Sequence, residues 1–498
     1  MARVIAAFIT AAAVLAAVAT PAAAASTGPV SAGELTLVPA AGTTLSVDGI
    51  PYAGSMVVAA DPGGGIDVVD RVSFEDYVDG IGEMPSSWPA AALQAQAVAA
   101  RTYALWTVLT HPAGPGGGQI CATDSCQVYF GLDKLESQDG AQWAAAVKAT
   151  SGAVLQYQGR IIEALYGSSD GGQTVDGGVP WLPSVSDPQD SLSPEHNWTW
   201  SEPLSAMAGT LGVPAGQTLV SLVSSTTAIQ ETLGHGSGPS TSVSLTPGQF
   251  HSLVNARTPN PSGLDLPLPS YRYSVSTYGT TVKIAGMGDG NGYGMSQYGA
   301  LGKAQAGWTA GQILADYYAG TVAGPLPANE MPATIGVTLH SGTGHAGISA
   351  NGPVSIVDGR GTRLADVKSA AAWSATRGGA GVELSPSGAI AEVDPDIPVA
   401  APVAPRAPGP TGAGSTVAAG RHHNAPPAPT TTRPAPAPAV SRPPAPTPSA
   451  VAAAETTARP KSGGIPWNVL IGTGVVIAGA AVIGHMFRRR RGERPAGQ

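Results

Sequence analysis

The chain has 498 residues, room for about three domains at roughly 150 residues each, yet 66 are glycine and 45 proline, and 17 of the prolines fall between 395 and 460. That stretch cannot form a core, and residues 30–390 remain to bury one large or two modest ones. Between 26 and 393, 13 Lys and Arg stand against 29 Asp and Glu, a net charge of −16 that argues against nucleic acid or anionic wall polymers as main partner and asks for a neutral or cationic substrate.

The chain opens with Met1-Ala2-Arg3, an apolar run over 4–18, then Thr20-Pro21 and small residues to Ala25. Those are the three regions of a secretory signal peptide, assigned to 1–25. Alternation of apolar and polar residues with Gly and Pro breaks predicts short strands at 55–60 and 65–69. The segment Val72-Ser73-Phe74-Glu75-Asp76-Tyr77-Val78-Asp79-Gly80-Ile81-Gly82-Glu83-Met84-Pro85 follows. A helix is predicted over 90–110, with Ser86 or Ser87 as cap and Pro89 in the first turn. Its residues are so small, Ala upon Ala, that it must be packed closely on all sides. An arginine among such alanines, Arg101, is expected to be buried, where its guanidinium demands a carboxylate or several other acceptors. Two roles stay open for it: orienting an acidic group or substrate, and an ion pair that holds the helix.

Cys121 and Cys126 are the only cysteines. In an exported chain a Cys-x4-Cys pair reads as a short-loop disulfide. Zinc would need two further ligands, with His111 and Asp124 the nearest and poorly spaced, so neither a metal nor a cofactor is expected. The glycine ladder Gly286, Gly288, Gly290, Gly292, Gly294 lacks the strand-to-helix context of a phosphate cradle. No Gly-x-Ser-x-Gly elbow offers a seryl nucleophile.

Residues 331–390 alternate like strands at 334–339 and 354–357 and are expected to form a small β module. Residues 394–465 are a disordered Pro/Ala/Thr stalk, in which His422-His423 is read as solvated. Then 467–487 is a 21-residue uncharged run long enough to span a bilayer as a helix, with His485 as an interfacial residue near its inner end. The basic tail 488–498 begins Arg488-Arg489-Arg490-Arg491 and so belongs on the cytoplasmic side, leaving the rest outside as a single-pass ectodomain facing the cell wall.

The run 72–105 closely resembles the SpoIID/LytB amidase-enhancer family, whose mark is an "EdYv…gv…Emp" segment followed by "alkAQAvaARTya". Further motifs keep the family's order: Gln127-Val128-Tyr129-Phe130-Gly131, the stretch 144–154, Tyr166-Gly167-Ser168-Ser169-Asp170-Gly171-Gly172-Gln173-Thr174, Val185-Ser186-Asp187-Pro188 with Trp198 and Trp200, then Gly294-Met295-Ser296-Gln297-Tyr298-Gly299-Ala300 and 313–318. The resemblance covers 34–322 and implies an α+β fold of mixed strands with a few Ala-rich helices, serving catalysis or glycan binding. One departure is Asn291, which stands where the family often has a Gly-His-Gly histidine and cannot shuttle a proton near neutral pH.

What the resemblance implies is cleavage of peptidoglycan glycan strands by a lytic transglycosylase route. One carboxyl group protonates the glycosidic oxygen and then takes the proton of the sugar's own 6-hydroxyl, giving a 1,6-anhydro end; ordinary hydrolases need a second carboxylate. The family motif assigns that role to Glu83, with Met84, Pro85 and Trp88 as an apolar wall. Glu75, Asp76 and Asp79 are candidates for a hydrolase's second carboxylate. Arg101, Tyr103, Gln127, Tyr129, Ser168, Ser169, Thr174, Ser296 and Gln297 are expected to bind substrate. A second reading of a different class is a non-catalytic glycan-binding module that recruits or stimulates a cell-wall amidase.

Overall fold

The computed structural model describes residues 29–225, 227–327, 330–379 and 381–387. The signal peptide expected at 1–25, the stalk at 394–465, the transmembrane helix at 467–487 and the tail at 488–498 lie outside them. Among the described residues no helix is long and apolar enough to cross a membrane. The fold is mixed α+β, with eight α-helices among the described residues.

The first strands pair with the last. Glu34–Pro39, Ser55–Ala60 and Ile66–Ser73 run antiparallel in one sheet, which Thr334–Thr343 extends beside Ile66–Ser73 and Val354–Asp358 beside Glu34–Pro39. A second sheet joins Val30–Ala32, Leu45–Val47 and Ile50–Tyr52 to His345–Ala350, Ala371–Gly378 and Gly381–Pro386. This corrects the expectation of a separate β module at 331–390. Both sheets turn apolar faces into one core: Leu35, Leu37, Met56 and Val68 from the first, Ile348, Trp373, Val382 and Leu384 from the second. A sheet with one apolar face needs a covering layer, and here both stretches contribute strands to both sheets, so the layers form together.

Between these two stretches lie the helices. α1 (Phe74–Asp79) is capped by Ser73, whose hydroxyl accepts from the Asp76 N–H. α2 (Ala90–Thr110) is the Ala-rich helix, buried at Ala92, Ala95, Ala97, Ala99, Ala100 and Ala104. Its cap residue is Pro89, with no side-chain cap, rather than Ser86 or Ser87: proline's fixed φ, here −55°, already sets the first turn, and its carbonyl accepts from Ala92 and Leu93. α3 (Asp133–Glu136) and α4 (Gly140–Ala149) follow, and α4 packs on α2. Residues 198–286 then build a second core from Trp198, Leu204, Met207, Phe250, Val254 and Ile284. It encloses α5 (Leu204–Leu211), α6 (Pro247–Arg257) and two three-stranded antiparallel sheets. The chain returns through α7 (Gln297–Gln305) and α8 (Ala310–Tyr317), which both pack against α2.

Candidate functional site

Glu83 sits in a short non-helical segment between α1 and α2. That segment is clipped to 127–130: Gly82 N–H donates to the Val128 carbonyl at 2.7 Å, Phe130 N–H to the Gly80 carbonyl at 2.8 Å, and Ile81 pairs with Tyr129. Gly82 has to be glycine, because a Cβ there would come within 2.3 Å of the Phe130 ring. The clip returns Val128 N–H to Glu83, to which it donates at 2.6 Å (Oε1). Two sequence motifs thus become one structure, the first holding the carboxyl and the second feeding it a hydrogen bond.

A second pair of motifs closes on the same place. Tyr166–Gly167 lies parallel to Met295–Ser296, with Tyr166 opposite Met295 and Gly167 opposite Ser296. Gly294 permits this approach: it takes φ +67°, and a Cβ would stand 1.9 Å from the Leu165 carbonyl oxygen. The pairing sets Tyr166 and Gln297 beside Glu83. A small open cleft of about 110 Å³ lies there, lined by Tyr103, Asp124, Ser125, Cys126, Leu165, Tyr166 and Asn291.

Burial pushes the Glu83 carboxyl up to about 7, and the charge of Asp124 adds to the rise. The Val128 N–H, Gln297 and Tyr166 oppose it. The same negative charge raises the phenols of Tyr77, Tyr103 and Tyr166, in each case after their own burial. A carboxyl poised near neutral pH can give and take a proton with comparable ease. Lys134, on α3, is buried with Nζ 2.5 Å from the Met84 carbonyl and over the Trp143 ring, and burial lowers it to about 8.

The structure brings Glu83, Tyr103 and Gln297 together, and leaves Ser168 half-buried nearby with its hydroxyl on Asp289. The other expected substrate ligands are each enclosed and spend polar atoms on protein. Arg101 is fully buried and pairs with Glu75 through two 2.8 Å bonds. Gln127 accepts from the Tyr77 hydroxyl at 2.7 Å and donates to the Ala100 carbonyl. Tyr129 donates to Asp70 at 2.8 Å. Thr174 donates to the Pro183 carbonyl and accepts from Val185 N–H. Ser169 and Ser296 both donate to Asp190 at 2.7 Å, and Ser296 also caps α7. Glu75 is held by Arg101 and Asp76 by Ser73 at 2.6 Å, so neither is free to serve as a second carboxylate.

Those serines belong to a buried network that joins four motifs. Asp170, Asp187 and Asp190 have carboxylate oxygens within 4.8 Å of one another, the spacing of a metal site. Their donors fit a metal poorly. Asp190 already accepts from Ser169, Ser296, the Asp170 N–H and His196 Nδ1, which uses its full capacity. Asp187 holds Lys303 Nζ at 2.5 Å and the Tyr317 hydroxyl. Burial and then the charges of Asp187 and Asp190 push the Asp170 carboxyl up to about 8, and its Oδ1 accepts from the Gly172 N–H at 2.8 Å. Lys303 brings its positive charge into the cluster through Asp187.

Cys121 and Cys126 form a disulfide, with Cα atoms 5.5 Å apart. The loop they close supplies Asp124, Ser125 and Cys126 to the cleft. Asn291 lines the opposite part, its Oδ1 accepting from the Tyr293 N–H at 2.8 Å.

Comparison with known proteins follows the same segments. Residues 62–157, which hold Glu83, the Val128 donor and all of α2, match the family described as SpoIID, Stage II sporulation protein. The chain is 30% identical over 273 residues to stage II sporulation protein D of Bacillus subtilis, an alignment covering 51% of this chain and 75% of that protein. The chain belongs to the SpoIID family. It is also 30% identical to the stage II sporulation protein D of Bacillus amyloliquefaciens, across 51% of this chain and 74% of the relative. A further SpoIID-family likeness is to a protein named amidase enhancer, of Bacillus subtilis, at 28% identity over 48% of this chain and 39% of that protein. Sequence reasoning missed Tyr166, Asp124 and Lys134 as neighbours of Glu83. Tyr166 heads a quoted motif, but nothing local signals that it pairs with Met295, 129 residues on.

Proposed function

We propose that this chain is a cell-wall protein that cleaves peptidoglycan glycan strands as a lytic transglycosylase, with Glu83 as its single acid/base. The observation that carries the reading is Glu83 itself: a half-buried carboxyl beside a cleft, held by the Val128 N–H at 2.6 Å and pushed up to about 7. Protonated Glu83 gives its proton to the glycosidic oxygen as the C1–O bond breaks. The resulting carboxylate takes the proton of the 6-hydroxyl while that oxygen bonds to C1, so Glu83 ends protonated and no water is consumed. Tyr103 and Tyr166 offer the sugar their ring faces, Tyr103 adds its hydroxyl, and the acidic head suits a neutral glycan better than an anionic polymer. An N-terminal signal peptide and a C-terminal span would place the head outside the cell on a proline-rich stalk.

The test is mass spectrometry of purified glycan strands after exposure to the full-length chain. Ends one water lighter than hydrolytic ends support the reading; uncut strands refute it. A second reading is favoured by the likeness to the amidase enhancer of Bacillus subtilis. In it the cleft binds glycan without cutting, and the protein recruits or stimulates a separate wall amidase.

A further inference from the structure

The Tyr166 phenol is a buried polar group of the cleft wall that the fold leaves unfinished. Its oxygen is buried and closes no well-formed hydrogen bond among the described residues. A hydroxyl shut away from water without a partner destabilises the fold, so such a group is retained where a second state of the site satisfies it. Its neighbours have their own partners: Tyr77 donates to Gln127, and Gln127 to the Ala100 carbonyl. On Glu83, Oε1 is already held by the Val128 N–H.

The parallel pairing of Tyr166 with Met295 holds Tyr166 against the strand that leads into α7, and the Tyr166 phenol and the Glu83 carboxyl act on each other's proton. Resting on the reading of Glu83 as acid/base, we propose that the Tyr166 hydroxyl is the donor that receives and orients the Glu83 carboxylate each time Glu83 gives up its proton. Tyr166 is then a positioning residue. Burial and the Glu83 charge keep its phenol well above the ordinary range, so it stays a donor and never a competing base. The other groups facing Glu83 do not supply this. Tyr77 on α1 is spent on Gln127, Tyr103 on α2 feels Glu83 only as a charge, and Asp124 repels it. Lys134 on α3 is spent on the Met84 carbonyl. Gln297 on α7 shares the task, though its amide is also engaged by Gln96 at 3.4 Å.

The experiment reads the carboxyl directly. The full-length chain is labelled with 13C at glutamate Cδ, the Glu83 signal is assigned by its loss in Glu83→Gln, and its titration midpoint is followed by NMR. Tyr166→Phe removes the donor, so the midpoint is expected to rise by about half a unit or more. Tyr166→difluorotyrosine, a stronger donor of nearly the same shape, is expected to lower it, and this variant also serves if the Phe variant misfolds. A midpoint unmoved by either change overturns the inference. Shifted midpoints with uncut glycan keep Tyr166 as the positioning residue and sink the transglycosylase reading; cut glycan with unmoved midpoints does the reverse.

Discussion

Arg101 grips Glu75 with both arms of its guanidinium, Nε to Oε1 and Nη2 to Oε2, each at 2.8 Å. The arginine is wholly enclosed, while the glutamate side chain is 33% exposed. Arg101 Nη1 and Nη2 also reach the carbonyls of Ala97, Ala153 and Val147, and Glu75 Oε1 takes the Gly152 N–H at 3.2 Å. One side chain thereby ties α1, α2, α4 and the strand Ala153–Tyr157 together behind the cleft.

The first prediction is that Arg101 is a folding residue. Arg101→Ala takes the arginine from Glu75 and one donor from each of three carbonyls and should cost about 3–5 kcal/mol. Arg101→Lys should recover little, since an ammonium cannot reproduce the planar fork. Urea midpoints check the loss. A variant with native stability and weakened glycan binding would return Arg101 to the substrate side.

The second concerns pH. Asp170 titrates at about 8 in the fold against about 3.9 in an unfolded chain, so the folded state binds the extra proton between those values. Its contribution to stability is complete below about pH 4 and is lost as pH rises toward 8. Asp170→Asn is neutral at every pH, so it removes the charge that the Asp170 site resists. The variant should therefore melt higher than the parent at pH 8, by a few degrees, and show a flatter stability profile from pH 5 to 8. Equal slopes in calorimetry would refute the raised Asp170 carboxyl.

The third concerns the disulfide, which closes a loop of about six residues and on chain entropy is worth about 2 kcal/mol. Thiol reagents should label the exported protein only after reduction. Reduction should lower Tm and, because Asp124, Ser125 and Cys126 form cleft wall, weaken glycan binding as well. Zinc at one equivalent in freshly purified protein would contradict the pairing.

Much of this was legible in the sequence where local pattern decides. The Ala-rich helix announced its own burial, and the isolated Cys-x4-Cys its bond. What stayed hidden depends on long-range pairing. Thr334–Thr343 alternates like any strand, and only its register against Ile66–Ser73 reveals that it finishes a sheet begun near the N-terminus. The family motifs read as a substrate groove because serine, threonine and glutamine are what sugars favour. Ser169, Ser296 and Thr174 instead satisfy buried backbone and Asp190, a use of the same chemistry that spacing cannot distinguish.

The fourth prediction tests topology. Protease added to wall-stripped cells should cut within 394–465 and shed the head while a short membrane-bound tail remains. A head protected until the membrane is opened would reverse the orientation.

The last prediction separates enzyme from binder. Glu83→Gln keeps the shape and the hydrogen bond from Val128 N–H but cannot shuttle a proton, so turnover should fall by about 10²-fold or more while glycan affinity changes little. Stability should hold or rise slightly, because a carboxyl pushed up to about 7 is already uneasy as an anion and the amide removes that cost. In water labelled with heavy oxygen the wild-type products should carry no label, since the 6-hydroxyl rather than water closes on C1. Label at reducing ends would point to a hydrolase, and its second carboxylate would be sought at Asp124, which lines the cleft, before Asp79. Uncut strands that wild type and Glu83→Gln retain equally would leave Glu83 as an anchor for the 127–130 clip and favour the enhancer reading.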